Sequence, residues 1–318
     1  MSLVTTTRVQ PSVVQVEHAS RWYGNVVAVN DVTMTIGPGV TGLLGPNGAG
    51  KTTMIQLMAG FLAPSAGVVT LDGQPVWRNE AVYRRLGLVP EAEGMYDSMT
   101  AWEFVLGNAK LHSLPDARAS AWRALEVVEM QDAHSRKIDT FSKGMKQRIR
   151  MATALVHDPT VLLLDEPFNG MDPRQRLHLM DLLHRLSDQG RTVLFSSHIL
   201  EEVEQVASHI EVIVAGRHAA SGDFHAIRRL MTDRPHRYVV RSSDDRAMAA
   251  ALIADGSSTA VQLDEREGVL RVQTVDSARF GWLVPQVARR AGIRLFELTP
   301  TDESLESVFS YLVTRSAQ

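Results

Sequence analysis

The chain has 318 residues with 33 basic and 36 acidic side chains, a formal charge of −3, so at roughly 150 residues per domain it holds about two domains and offers no broad basic surface for nucleic acid or lipid. Apolar residues make up 44% and charged ones 22%, a composition that buries a core and excludes disorder. The absence of cysteine excludes disulfides, thiolate metal sites and cysteine nucleophiles.

Residues 1–12 lack the apolar core of a signal peptide, and no apolar run nears the ~18 residues that span a bilayer. Taken alone, the chain is expected to be soluble and intracellular. From residue 13 to about 230, short apolar runs alternate with helical stretches, the pattern of an α/β domain. Residues 40–44 read as a strand and 53–62 as a helix, with Met54, Ile55, Leu57, Met58 and Phe61 spaced to pack. Between them, Gly45-Pro46-Asn47-Gly48-Ala49-Gly50-Lys51-Thr52 fits the Walker A pattern G-x-x-x-x-G-K-[ST]. Its glycines let the backbone curl so that successive N–H groups converge on phosphate oxygens. Lys51 reaches the β and γ phosphates, the Thr52 hydroxyl ligates Mg²⁺, and Thr53 belongs to the same helix N-terminus. A strand, this loop and a helix in that order make nucleotide binding the expectation.

Residues 97–157 read as helical throughout, with Thr100 and Glu103 forming a capping box. This stretch is expected to be an all-helical insertion in the α/β domain. The run 161–164 (Val-Leu-Leu-Leu) is continuous apolar sequence, suited to a strand buried on both faces, and it ends in Asp165-Glu166. Alone that ending is a solvated strand terminus. Paired with the loop at 45–52 it supplies a Walker B carboxylate, with Asp165 for Mg²⁺ and Glu166 as the general base that activates water. Residues 174–189 follow as a helix before Gly190, and 192–195 as another buried strand.

Asp233-Arg234-Pro235 reads as a linker. Beyond it come strand 238–241, helix 245–254, strands 259–263 and 269–275, helix 277–291, strand 293–298 and a last helix over 303–315. That β-α-β-β-α-β order is the split βαβ, or ferredoxin-like, arrangement. Leu305, Val308, Phe309 and Leu312 give the last helix one apolar face.

From these motifs the sequence resembles the ATPase subunits of ABC transporters, and further elements fall in that family's order. Phe141-Ser142-Lys143-Gly144-Met145-Lys146-Gln147-Arg148 resembles the signature motif LSGGQ and opens a helix running to Val156. Lys143 stands where glycine is usual. The resemblance implies that Ser142, Lys143, Gly144 and Met145 face the ATP of a second subunit, so that a head-to-tail homodimer sandwiches two nucleotides. It implies that His198, at the end of a strand over 193–197, is the switch histidine beside the γ-phosphate. Asp172, in Asn169-Gly170-Met171-Asp172, matches the D-loop, and Tyr23 matches the aromatic that stacks on adenine. Glu91, in Leu88-Val89-Pro90-Glu91, occupies the Q-loop in place of a glutamine and would join Thr52 and Asp165 at the metal.

The implied architecture is an α/β P-loop NTPase (ABC ATPase) core over 13–232, with a helical subdomain about 97–157 and a small C-terminal α+β (ferredoxin-like) domain over 236–318. Catalysis would fall to Glu166, His198 and Lys51, with ATP and Mg²⁺ bound. The partners implied are a second copy and a separate integral membrane permease, which would hold the chain at the cytoplasmic face of the membrane. Ser304-Leu305-Glu306-Ser307-Val308-Phe309 is similar to the tail of bacterial drug and polysaccharide exporter subunits, so export is expected. Two other readings fit the motifs less well. A soluble ABC ATPase acting on ribosomes or DNA would carry a second nucleotide domain or a long coiled coil, and neither is seen. A P-loop GTPase or kinase leaves Ser142 and His198 unexplained. For the C-terminal domain, ligand sensing, dimer contact and a stabilising cover all stay open, with dimer contact or regulation preferred.

Overall fold

The computed structural model describes residues 10–91, 94–223, 236–264 and 268–300. The described residues separate into two compact units, 10–223 and 236–300. The linker 233–235 and the expected last helix, 303–315, lie outside the described residues.

The first unit opens with an antiparallel hairpin, β1 (Val14–Tyr23) and β2 (Val26–Ile36), whose alternating burial marks a sheet with one face on the core. β3 (Gly39–Leu44) leads into the phosphate loop and α1 (Lys51–Met58). The helix begins two residues earlier than the periodicity predicts. Gly50, at φ 102°, takes the N-cap position, and this draws Lys51 and Thr52 into the first turn. β4 (Ala66–Leu71) and β5 (Gln74–Pro75) complete a four-stranded antiparallel sheet in the order β2-β1-β4-β5. α2 (Glu80–Tyr83) and β6 (Leu86–Val89) follow.

The helical segment consists of α3 (Ala101–Leu111), α4 (Ala117–Val127) and α5 (Lys143–Leu155), with two short 3-10 turns between the last two. The expected capping box is present. The Thr100 hydroxyl accepts from the Glu103 N–H at 3.1 Å, and the Glu103 carboxylate accepts from the Thr100 N–H at 2.8 Å. Then come β7 (Val161–Leu164), α6 (Pro173–Asp188), β8 (Thr192–Ser197), α7 (Leu200–Val206), β9 (His209–Val214) and β10 (Arg217–Gly222). The second sheet has the order β10-β9-β3-β8-β7-β6, parallel apart from β10, which runs antiparallel to β9.

Both continuous apolar runs are buried along their full length, as strands covered on two faces must be. α1 is held between the sheets. Met54, Ile55, Leu57 and Met58 share one core with Val14, Val32 and Ile36 of the antiparallel sheet and with Leu43, Leu163 and Leu194 of the parallel one.

The second unit contains β11 (His236–Ser242), α8 (Asp245–Asp255), β12 (Ala260–Asp264), β13 (Val269–Thr274), α9 (Ser277–Arg290) and β14 (Leu295–Pro300). Its sheet is antiparallel throughout, in the order β12-β13-β11-β14, which is the split βαβ topology. Tyr238, Val240, Met248, Leu252, Phe280 and Val284 form its own core.

One buried charge in the first unit has no part in the nucleotide motifs. Glu211, in the middle of β9, is 1% exposed. Its carboxylate meets His218 Nε2 at 2.6 Å and His209 Nε2 at 3.1 Å, and it accepts from the Ser221 hydroxyl at 3.0 Å. The bond to Glu211 raises the His218 imidazole above its ordinary 6.5, against the opposing effect of burial. A raised native pKa means that this stabilisation is complete below pH 6.5 and is lost as pH rises through the raised value. The melting temperature should therefore fall as pH rises from 6.5 through the raised His218 value. His218→Gln should flatten that slope, as thermal unfolding followed by circular dichroism would show.

Candidate active site

Three loops meet at the C-terminal edge of the parallel sheet because β8 lies between β3 and β7. The chain visits these strands in the order β3, β7, β8, so the phosphate loop after β3 and the carboxylates after β7 flank the loop after β8. Ligands of open α/β sheets bind at this edge. A cavity of about 570 Å³ opens there, lined by Asn47, Gly48, Gly50, Lys51, Thr52 and Thr53 of the loop together with Glu91, Glu166, Asn169 and His198.

Lys51 is buried. Its Nζ donates to the Gly45 carbonyl at 2.8 Å and the Pro46 carbonyl at 3.3 Å, and lies 3.4 Å from Glu166 Oε1. The other carboxylate oxygen of Glu166 meets His198 Nδ1 at 2.9 Å. A carboxylate accepts and does not donate, so this contact selects the tautomer with a proton on Nδ1. Glu166 also has φ 46°, a left-handed conformation unfavourable for a side chain of its size. Its N–H donates to the Ser196 hydroxyl at 2.9 Å, and that hydroxyl donates to Asp165 Oδ1 at 2.6 Å.

An ABC transporter family profile matches residues 29–169, spanning the phosphate loop and both carboxylates. The chain is 30% identical over 305 residues to the bacitracin transport ATP-binding protein BcrA of Bacillus licheniformis, covering 95% of this chain and 97% of that one. It is 35% identical to the linearmycin resistance ATP-binding protein LnrL of Bacillus subtilis, covering 65% of this chain and 68% of that one. The chain belongs to the ABC transporter ATP-binding proteins.

A solved ATP-binding subunit of an ABC transporter superposes with a TM-score of 0.62 at 28% identity, covering 69% of this chain and 92% of that structure. A second profile, a domain of unknown function (DUF8746), matches residues 237–306. As a member of the family, this chain is an ATPase subunit that powers a separate permease. No helix among the described residues is long and apolar enough to cross a membrane.

The three expected metal ligands of this ABC ATPase, Thr52, Glu91 and Asp165, line one cavity of about 210 Å³ beside the phosphate loop. One hydroxyl and two carboxylates are hard oxygen donors, a set that fits Mg²⁺. Asp165 is 2% exposed and keeps Oδ1 on Ser196, so its orientation is set from behind.

The signature residues lie elsewhere. Ser142 caps α5, accepting from the Met145 N–H at 3.2 Å, and it also accepts from Gln175 Nε2 at 3.3 Å. A Cβ on Gly144 would fall on the Gln175 side-chain amide, and the Lys143 side chain lies against Gly170. Asp172 caps α6, accepting from the Gln175 N–H at 2.9 Å. These residues form a junction of the α5 and α6 N-termini outside the cavity lining. Tyr23 is also outside it, 43% exposed beneath the Arg21 guanidinium at 4.9 Å. Its hairpin contributes Ala28 to the cavity instead.

Sequence reasoning missed three contributors. Ala28 carries no chemical signal. Ser196, a hydroxyl closing an apolar run, was readable only once its neighbour Asp165 was known. Glu202 of α7 is buried, with Oε2 2.6 Å from the Ser197 hydroxyl that in turn accepts from the Ile199 N–H. It thereby fixes the loop that carries His198. Burial raises the Glu202 carboxyl above its ordinary range, against the lowering effects of Ser197 and Arg176.

A further cavity of about 370 Å³ lies beside the Q-loop, lined by Phe61, Leu88, Pro90, Phe104, His112 and His157 among others. The two imidazoles stack 4.0 Å apart with planes 9° from parallel. Burial and then Arg84 lower His112, and burial and then His112 lower His157 to about 4. The pair is therefore uncharged near neutral pH.

Ser196→Ala removes the donor to a buried carboxylate and the acceptor of the Glu166 N–H. It should cost about 2–3 kcal/mol of stability and lower ATP turnover, checked by urea unfolding and phosphate release. Wild-type stability would mean that Asp165 is held by another donor.

Proposed function

We propose that the chain binds MgATP in the 570 Å³ cavity and hydrolyses it as one half of a head-to-tail homodimer that drives export through a membrane permease. The observation that carries this reading is the convergence of Lys51, Glu166 and His198, with Glu166 within 3.4 Å of the first and 2.9 Å of the second. Lys51 and the N–H groups opening α1 bind phosphate. Glu166 accepts the proton of the attacking water, and His198, donating from Nδ1, orients its carboxylate. Thr52, Glu91 and Asp165 hold Mg²⁺, which when bound neutralises charge on the phosphate oxygens. Lys51 lies between backbone carbonyls and Glu166, which hold its charge at the cavity wall.

Ser142, Lys143, Gly144 and Met145 with Asp172 face the nucleotide of the second copy, and Tyr23 stacks on adenine. The junction that joins the N-termini of α5 and α6, away from the cavity of its own chain, supports assigning the signature residues and Asp172 to a partner. The apolar groove beside Glu91 receives the permease, and that contact holds the chain at the cytoplasmic face of the membrane. Relatives named for bacitracin transport and linearmycin resistance support export. The second unit, with its own core, serves dimer contact or regulation.

Glu166→Gln keeps the side chain's size and removes its basicity. It should bind ATP with wild-type affinity, lose at least about a hundredfold in turnover and accumulate as a dimer with ATP on size-exclusion chromatography. Unchanged turnover excludes Glu166 as the base.

A further inference from the structure

The phosphate loop is braced from behind by a segment that none of the motifs includes. Residues 215–216 turn the chain between β9 and β10, with φ 49° at Ala215 and 75° at Gly216. The Gly216 N–H donates to the Ala49 carbonyl at 2.9 Å, and the Gly216 carbonyl accepts from the Asn30 N–H at 2.7 Å. The Ala28 carbonyl sits between two glycines. A Cβ on Gly50 would come within 2.4 Å of it, and a Cβ on Gly216 within 2.9 Å. At the other end of the loop, a Cβ on Gly45 would come within 2.4 Å of the Ile213 carbonyl. The β9–β10 hairpin therefore touches the phosphate loop at its first residue, Gly45, and again at the Ala49 carbonyl.

We propose that Gly216 is a positioning residue of the ATP site, holding the Ala49–Gly50 peptide so that the loop's N–H groups keep their aim. The inference rests on reading the cavity as that site. A trans peptide is planar, so anchoring the Ala49 carbonyl on Gly216 also fixes the Gly50 N–H, which points the opposite way. That N–H immediately precedes the free N–H groups of the α1 first turn. The bond from Asn30 ties the same turn to β2, and β2 supplies Ala28 to the cavity wall. Only glycine satisfies both demands at position 216, because a side chain there meets a left-handed backbone and the Ala28 carbonyl together. The Glu211–His218–Ser221 cluster secures β10 to β9 a few residues further on, so the turn has a fixed base.

The test compares full-length Gly216→Ala with the wild type in steady-state ATP hydrolysis and in ATP binding by competition with a fluorescent analogue. The alanine should raise KM and Kd for ATP about tenfold, with kcat changed less than about twofold. Gly73→Ala is the control for general destabilisation. Gly73 has φ 77° with nothing within 4 Å of an added Cβ, and its turn joins β4 to β5 away from the cavity. It should lose thermal stability and keep the wild-type KM. Gly216→Asn, whose side chain tolerates positive φ, brings the same Cβ contact and replaces the alanine variant should that one not fold. An unchanged KM at position 216, or an equal rise in Gly73→Ala, overturns the positioning role alone. A wild-type chain that binds no ATP overturns the reading of the site and this inference with it.

Discussion

A lysine ammonium withdrawn from water is the constraint on which the rest of the site depends. An isolated buried charge is too costly to keep, so Lys51 persists only where acceptors surround it. Two are backbone carbonyls of its own loop, and the third is Glu166 from after β7. Loop curvature, strand order and the strained backbone at Glu166 all serve that arrangement. The same carboxylate then takes His198 on its other oxygen. Three side chains distant in sequence thus share one charge balance, and moving any of them leaves another buried group unmatched.

The change from apolar to polar at the end of β8 shows how the sheet builds this edge. Val193, Leu194 and Phe195 pack into the interior, and Ser196 and Ser197 follow them without becoming exposed. Each hydroxyl is taken up by a buried carboxylate, Asp165 for the first and Glu202 for the second. Buried acids and hydroxyls satisfy one another, so the chemistry sits on a rigid polar layer rather than on loose loops. Behind the phosphate loop, the β9–β10 turn does comparable work with backbone groups alone.

The junction at the start of α5 and α6 has a different character. Ser142 and Asp172 cap their helices, and Gln175 bridges them. These bonds satisfy helix ends within the chain while leaving the junction outside its own cavity.

Local chemistry was legible wherever a short segment carried its own physical requirement. The phosphate loop needs its glycines and Lys51, the buried strands need unbroken apolar runs, and Thr100 with Glu103 announces a helix start; each of these appears where its residues indicate. The C-terminal strand and helix order was readable because its turns and periodicities are local. Pairing was not. In the antiparallel sheet β1 pairs with β4, far along the chain, and no periodicity names that partner. The contributions of Ala28, Ser196, Glu202 and Gly216 stayed hidden for the same reason, since each acts through a neighbour supplied by another element. That this chain is a P-loop ATPase of the ABC family can be read from its residues in order. Which backbone groups brace the loop, and how Lys51, Glu166 and His198 divide their bonds, follows only from the folded chain, because burial and hydrogen-bond partnership are properties of strands brought side by side.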